Sequence, residues 1–407
     1  MKRILGIIGL LFFLGAFRSF ACTTAVISGR VTPDGRPMLW KNRDTRAVHN
    51  KIMIFHDGKY PYVGLVNSDD RTGQSVWIGY NSAGFAIMNS ASYNLNNDTI
   101  KQTGGEGRLM KRALQTCATV EDFEKLLNSL PRPIRLEANF GVIDAQGGAA
   151  YFEVGNFKVY KFDVNDPAVA PEGYLIRTNF SVKGVPGKGG GYIRYASTQK
   201  VLKQAVKNGG ITVKTIMQKA TKNLSHSLTE TNLWNYVSLP AHHPKFVWFY
   251  DYVPRRLSAS SCMVQGVKPG QNPALTVMWT DLGWPLASVT IPVFLSKENV
   301  LPTVLRYDKK LNDAPLCHMA LALKSRCFSY RTGVDSKYYI DVNALLNADK
   351  TGILQVLKPL DDKLLAEGQQ AMDRWEKTGN VDAGALEKLY RQIDRQVQDF
   401  YQKHFGL

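Results

Sequence analysis

Five cysteines in 407 residues are far too few for a disulfide-built scaffold. Histidine is almost as scarce: there are seven, and the one adjacent pair, His242-His243, has no Cys or carboxylate pattern around it. No metal is expected there or elsewhere. The G-x-S-x-G elbow, the H-E-x-x-H zinc helix, the C-x-x-C pair and the G-x-G-x-x-G fingerprint are all missing, which removes several hydrolase and cofactor classes. Gly187-Lys188-Gly189-Gly190-Gly191 lacks the Ser or Thr that a phosphate-cradling loop needs after its lysine, so it reads as a flexible loop. Internal repeats and low-complexity stretches are absent too, and a 44% hydrophobic content excludes wholesale disorder. Acidic residues are outnumbered, 34 against 51 basic ones, which leaves a net charge of +17. The lysines and arginines are dispersed rather than clustered, so no nucleic-acid partner is expected, although an anionic substrate would suit this balance.

One apolar run stands out. Met1-Lys2-Arg3 precedes an almost unbroken hydrophobic stretch, Ile4 to Phe17, followed by Arg18-Ser19-Phe20-Ala21. A basic start, an apolar segment too short to span a bilayer and a small-x-small ending make a cleavable signal peptide. No later stretch is long and apolar enough to cross a membrane. The expected product is exported, periplasmic or extracellular. Removing residues 1–21 of 407 leaves 386, and losing Lys2, Arg3 and Arg18 lowers the charge from +17 to +14.

Cleavage after Ala21 makes Cys22 the first residue, with a free α-amine beside its thiol. A lipid anchor is one use of such a cysteine. However, Ser19-Phe20-Ala21 lacks the usual lipobox leucine, and Cys22-Thr-Thr-Ala-Val-Ile-Ser28 is strand-like rather than a polar tether. The chemistry favours a nucleophile instead. An α-amine titrates at about 7.7–8.0 and a thiol at about 8.5, close enough for the amine to take the thiol proton near neutral pH. Such a site also needs an acid to hold the amine and fixed donors for an oxyanion.

Along the chain, short apolar segments at 23–28, 37–40, 51–56, 62–66, 75–80 and 84–88 read as strands joined by hairpin turns. Two helices should follow; the clearer has Thr119 as N-cap, Asp122 three residues on, and Phe123, Leu126, Leu127 and Leu130 at helical spacing. Strands resume at 139–144, 149–154, 157–162 and 174–178, then helices near 192–207 and 213–224, then strands at 261–267, 274–280 and 287–294. Residues 228–258, aromatic and Pro-bearing, fit no element. This order fits a layered α+β domain rather than a parallel βαβ array. Leu386, Leu389, Tyr390, Ile393, Val397, Phe400 and Tyr401 form a helical stripe, expected to pack on its own domain beside a helix near 360–375. Cys117, Cys262, Cys317 and Cys327 allow two disulfides or none, and the pairing stays open.

Cys22-Thr23-Thr24, Pro33-Asp34-Gly35 and Lys41-Asn42-Arg43-Asp44 together resemble the opening of the N-terminal-nucleophile cysteine amidases. That superfamily includes choloylglycine hydrolases, penicillin V acylases, acid ceramidase-like enzymes and isopenicillin-N acyltransferases. The resemblance continues through Asn81-Ser-Ala-Gly84-Phe-Ala-Ile-Met-Asn89, Asn139-Phe-Gly-Val-Ile-Asp144, Thr178-Asn179-Phe180 and Ile193-Arg194-Tyr195. It spans roughly residues 22–200, with a weaker echo at 279–294.

The resemblance implies an αββα sandwich, two antiparallel sheets between helical layers, over residues 22–345, with a helical extension at 346–407. It implies Cys22 as nucleophile and its own base, Asp44 as the acid holding the α-amine, Asn179 as an oxyanion donor and Arg194 as the helix arginine that organises the pocket. Asn89 is a second oxyanion candidate, with Asn94 as its rival. The substrate would be a small linear amide, cleaved without cofactor; acyl transfer and dipeptide cleavage are the alternatives within the superfamily. Choloylglycine hydrolases carry Arg where this chain has Lys41. Lysine has no planar fork, so that contact must differ and the assignment moves away from bile-salt cleavage.

Overall fold

The computed structural model describes residues 21–296 and 300–407; residues 1–20 of the segment read as a signal peptide lie outside them. The chain opens with a hairpin, β1 (Cys22–Ile27) and β2 (Met38–Asp44), closed around Pro33-Asp34-Gly35. Next come β3 (Asn50–Phe55), β4 (Tyr62–Asn67), β5 (Ile78–Asn81) and β6 (Ala86–Ala91). The helices α1 (Glu106–Thr116) and α2 (Val120–Ser129) intervene before β7 (Ala138–Ile143), β8 (Ala149–Val154) and β9 (Val159–Asp163). Strands β3 to β9 form one antiparallel seven-stranded sheet in sequence order. Each strand pairs with the next one in sequence, and the longest connection, between β6 and β7, carries α1 and α2.

The other sheet is assembled from distant segments. β10 (Tyr174–Arg177) returns to pair with β1, and helix α3 (Tyr192–Lys207) follows it. β11 (Phe246–Trp248) forms a separate ribbon, and β12 (Ser258–Gln265), β13 (Val277–Leu282) and β14 (Ile291–Phe294) complete the antiparallel order β10-β1-β2-β12-β13-β14. α4 (Pro315–Cys327), β15 (Tyr339–Asp341, the partner of β11) and short α5 (Val342–Leu345) lead to the long helices α6 (Ile353–Thr378) and α7 (Ala383–Phe405).

The two sheets pack face to face. At Gly141 in β7 a Cβ would collide with Met88 Cε and with Val26 Cγ2 of the opposite sheet, so only glycine allows the approach. Alternation then decides the rest of β7: Ala138, Phe140 and Val142 face outward into a second cluster with Phe85, Phe123 and Phe152 under α1 and α2. The outer face of the β1–β2 sheet is covered by α3, α4, α6 and α7. The expected αββα layering is therefore present.

Several local expectations hold. Thr119 and Asp122 make a reciprocal capping box at the start of α2. In the tail stripe Leu386, Leu389, Tyr390, Ile393, Val397 and Tyr401 are buried, and Phe400 is half-buried. Others change. Residues 215–220 form a π-helical turn rather than an α-helix, running into Lys222, which is buried between Asp361 at 2.7 Å and Asp281 at 3.7 Å. All five cysteines are free. Cys317 and Cys327 sit ten residues apart on α4, about 15 Å along a helix and beyond disulfide reach. Among the described residues no helix is long and apolar enough to cross a membrane.

Candidate active site around Cys22

Cys22 is the first residue of β1, the second strand of its sheet, with the edge strand β10 on one side and β2 on the other. Its register partner is Arg43, so Asp44 lies one residue beyond, level with the bond that precedes Cys22. Asn179 follows β10 by two residues and is fixed by a two-way main-chain bridge to Gly190. Arg194 lies in the first turn of α3.

Asn179 and Arg194 grip the Cys22 main chain. The Cys22 N–H donates to Asn179 Oδ1 at 3.2 Å. Arg194 Nη2 donates to the same oxygen at 2.7 Å, while Nη1 donates to Cys22 O at 2.7 Å and Thr23 Oγ1 at 2.8 Å. Asn179 Nδ2 in turn donates to Ala91 O at 3.0 Å. A planar guanidinium suits this fork, and lysine could not replace it. The glycine run read as a flexible loop has a structural use here. Gly191 has φ +85°, and a Cβ on it would land on Arg194 Nη2. The run lets α3 begin with its arginine folded back over the strand.

The other candidates lie across a cavity of about 420 Å³ lined by Cys22, Lys41, Asp44, Trp77 and Asn89, among others. Asp44 Oδ1 accepts from Ser258 Oγ at 2.6 Å and Asn42 Nδ2 at 3.1 Å. Its Oδ2 is buried with no hydrogen-bond partner among the described residues, and Arg255 Nε lies 3.8 Å away. Burial pushes the Asp44 carboxyl up, against the pull of Arg255, Arg194 and the Ser258 hydroxyl. Asn89 Oδ1 accepts from Lys41 Nζ at 2.6 Å, which leaves the amide nitrogen as the donor Asn89 has to offer. Its rival Asn94 is spent on a loop clamp, with Oδ1 on Ser181 N and Nδ2 on Ser181 O and Val185 O, and it does not line the cavity.

Three further groups emerge only here. Lys41 is 2% exposed, and burial lowers it to about 8 despite the pull of the Cys22 sulfur. Arg43, over the Trp77 ring at 4.6 Å, is lowered by burial to about 10. Neither has a carboxylate within ion-pair distance among the described residues. Arg255, from the stretch 228–258 that fits no sequence pattern, stands behind Asp44. Lys41 and Arg43 stood in the Lys41-Asn42-Arg43-Asp44 motif without a sign that they would be buried at the site, and Arg255 carried no signal. Elsewhere, His49, Asp313 and Cys317 bring ligand atoms within 4.8 Å of one another, a grouping that sequence spacing does not reveal.

The family pattern of acyl-coenzyme A:6-aminopenicillanic acid acyl-transferases matches residues 31–239, just over half of the chain. The chain belongs to that family. The match agrees with the N-terminal-nucleophile resemblance of the sequence; it contains Asp44, Asn89, Asn179 and Arg194 and begins after Cys22. No curated protein matches the sequence. Among solved structures, a variant of conjugated bile acid hydrolase from Clostridium perfringens is similar at 12% identity, over 69% of this chain and 94% of that one, with a TM-score of 0.41. Penicillin V acylase from Agrobacterium tumefaciens is similar at 13% identity, over 68% and 87%, with a TM-score of 0.37. An N-acylethanolamine-hydrolyzing acid amidase ortholog from Caenorhabditis elegans is similar at 15% identity, over 60% and 92%, with a TM-score of 0.39.

Proposed function

We propose that cleavage after Ala21 exports this acyl-transferase family member with Cys22 as its first residue, and that Cys22 hydrolyses a linear amide C–N bond through an acyl-enzyme. The observation that carries this reading is the grip on Cys22. Asn179 and Arg194 immobilise its main chain at the start of an interior strand, while the residue itself lines a cavity shared with Asp44 and Asn89. A main-chain N–H has one proton to give, and Asn179 Oδ1 takes it. An α-ammonium has three, and the unpartnered Asp44 Oδ2 is the acceptor that suits a second.

The chemistry runs in two halves. The α-amine takes the Cys22 thiol proton, the thiolate sulfur attacks the carbonyl carbon, and the carbonyl oxygen becomes an oxyanion. The Asn89 amide nitrogen is the donor best placed by its partners to meet it, with Asn179 as the second candidate. Collapse breaks the C–N bond, the α-ammonium returns its proton to the departing amine, and an acyl thioester remains. Water then attacks the thioester, gives a proton to the amine and regenerates the thiol.

Replacing Cys22 with Ala is expected to abolish turnover while leaving circular dichroism and thermal unfolding unchanged; retained activity refutes the reading. Intact mass of the secreted protein tests the first step, since a diacylglyceryl thioether on Cys22 would remove the nucleophilic thiol. The family match favours a second reading, acyl transfer. Adding an amine acceptor and following the new amide separates it from hydrolysis.

A further inference from the structure

His49 immediately precedes β3, the edge strand of the seven-stranded sheet. Asp313 and Cys317 stand about one turn apart at the start of α4, a helix packed on the other sheet. His49 and Asp313 are 264 residues apart in the chain, so no spacing pattern announces the group. Imidazole, carboxylate and thiol nonetheless offer ligand atoms that all lie within 4.8 Å of one another. His49 Nδ1 is 2.6 Å from Asp313 Oδ2, and the Cys317 thiol lies against the same carboxylate.

The surroundings prepare these three groups for a cation. Asp313 is fully buried, and its one ion pair among the described residues is with His49, since no Lys or Arg nitrogen comes within that distance. Its Oδ1 is held by the Ser68 hydroxyl at 2.6 Å and by the Ala314 N–H at 2.9 Å, which leaves Oδ2 facing His49. Cys317 is equally buried and gives its proton to Val48 O at a long 3.5 Å. Its sulfur accepts from the Asn50 N–H at 3.4 Å, a contact that favours the thiolate. The His49 main chain is pinned by the Ser68 N–H, which donates to His49 O at 3.0 Å. The imidazole itself is 58% exposed, so the ring can turn and solvent reaches the group.

We propose that His49, Asp313 and Cys317 form a zinc site, with a water in the fourth position on the exposed side of His49. One thiolate, one carboxylate and a neutral imidazole balance a divalent cation, and the sulfur selects zinc over magnesium or calcium. Zinc bonds of about 2.0–2.3 Å set tetrahedral ligands about 3.3–3.6 Å apart, so the three groups close on the metal by shifts of about 1 Å. On binding, the thiol proton leaves to solvent and the proton on His49 Nδ1 passes to Nε2. The metal ties β3 to α4 across the sandwich. Asn50 carries that tie inward: its N–H holds the Cys317 sulfur, and its side-chain oxygen accepts from Arg43 Nη1, the cation over Trp77 in the Cys22 cavity.

The test uses the mature-length protein with Cys22→Ala, which removes the competing chelate of N-terminal amine and thiol. It is compared with the same protein carrying His49→Ala or Cys317→Ala. Equilibrium dialysis should find one zinc per chain, held with micromolar affinity or tighter. Cobalt in its place should give the near-ultraviolet sulfur-to-metal charge-transfer band and the intense visible bands of a tetrahedral thiolate site. His49→Ala, at an exposed ring, should keep its circular dichroism and weaken zinc by at least the roughly ten- to hundred-fold that loss of an outer-shell partner costs. Cys317→Ala should abolish the charge-transfer band, and zinc should raise the thermal midpoint of the parent far more than that of either variant. No binding at micromolar zinc, cobalt bound without the charge-transfer band, or an affinity that survives either substitution overturns the site.

Discussion

Lys41 is a buried cation that the fold holds at a cost, and its replacement by methionine exposes that cost as a pH dependence. Its ammonium donates to Trp77 O at 2.9 Å and Asn89 Oδ1 at 2.6 Å, with the Trp77 ring 5.8 Å away. Those contacts do not replace the water lost, and burial lowers the group from 10.5 to about 8. Between those two pH values the unfolded chain carries the proton and the folded chain does not. The unfolded state thus binds more protons, and stability rises with pH across that window. The full drop corresponds to about 3 kcal/mol. Below pH 8 the penalty is present in full; by pH 10.5 it is gone. Lys41→Met keeps the length of the side chain and removes the proton, so its stability has no share in this rise. Urea unfolding of both proteins at pH 7 and pH 10 isolates the effect, because titrating groups that do not sense the Lys41 charge cancel in the difference. The parent should gain about 2–3 kcal/mol on the variant over that interval. A difference flat to within about 0.5 kcal/mol refutes the account. The same substitution leaves Asn89 without its partner, so activity should fall even where stability improves.

Asp44→Asn keeps the shape of the acid but not its charge, and turnover should fall by about a hundred-fold or more while near-ultraviolet dichroism is preserved; full activity would remove Asp44 from the mechanism. Gly368→Ala gains about 1 kcal/mol of helix propensity, but its Cβ would stand 2.8 Å from Trp279 Cζ3 and 2.9 Å from Pro292 Cγ. Thermal unfolding should therefore show a net loss of about 1–3 kcal/mol, and a rise in midpoint would contradict the packing of α6 on β13 and β14. Thr119→Ala opens the capping box of α2 and should cost about 1 kcal/mol by urea titration, with no change in turnover.

The elements most legible in the sequence were those whose signals are local. The Thr119–Asp122 box and the stripe from Leu386 to Tyr401 declare their helices because capping and amphipathic burial act within a few residues. The 215–220 segment was misjudged because α- and π-helical turns share almost the same apolar spacing. Residues 228–258 stayed opaque because their aromatics pack by tertiary contact: Trp248 and Tyr250 both lie against Tyr338, far along the chain.

The site divides in the same way. Sequence alone determined that Cys22 would lead into a strand and that Arg194 would open a helix, and the motifs of the family resemblance picked out Asp44, Asn179 and Arg194 as its companions. Each of these sits in a motif or within a turn of one. Only the tertiary structure decided that β12, from the second half of the chain, would insert next to β2. That pairing brings Ser258 onto Asp44 Oδ1 and Arg255 within 3.8 Å of Oδ2, across 214 and 211 residues of chain. The same sheet-on-sheet packing sets Lys41 against Asn89. Periodicity reports which face of a strand is buried, but not which distant segment covers it. The charges that surround Asp44 are therefore a property of the fold and not of any local pattern.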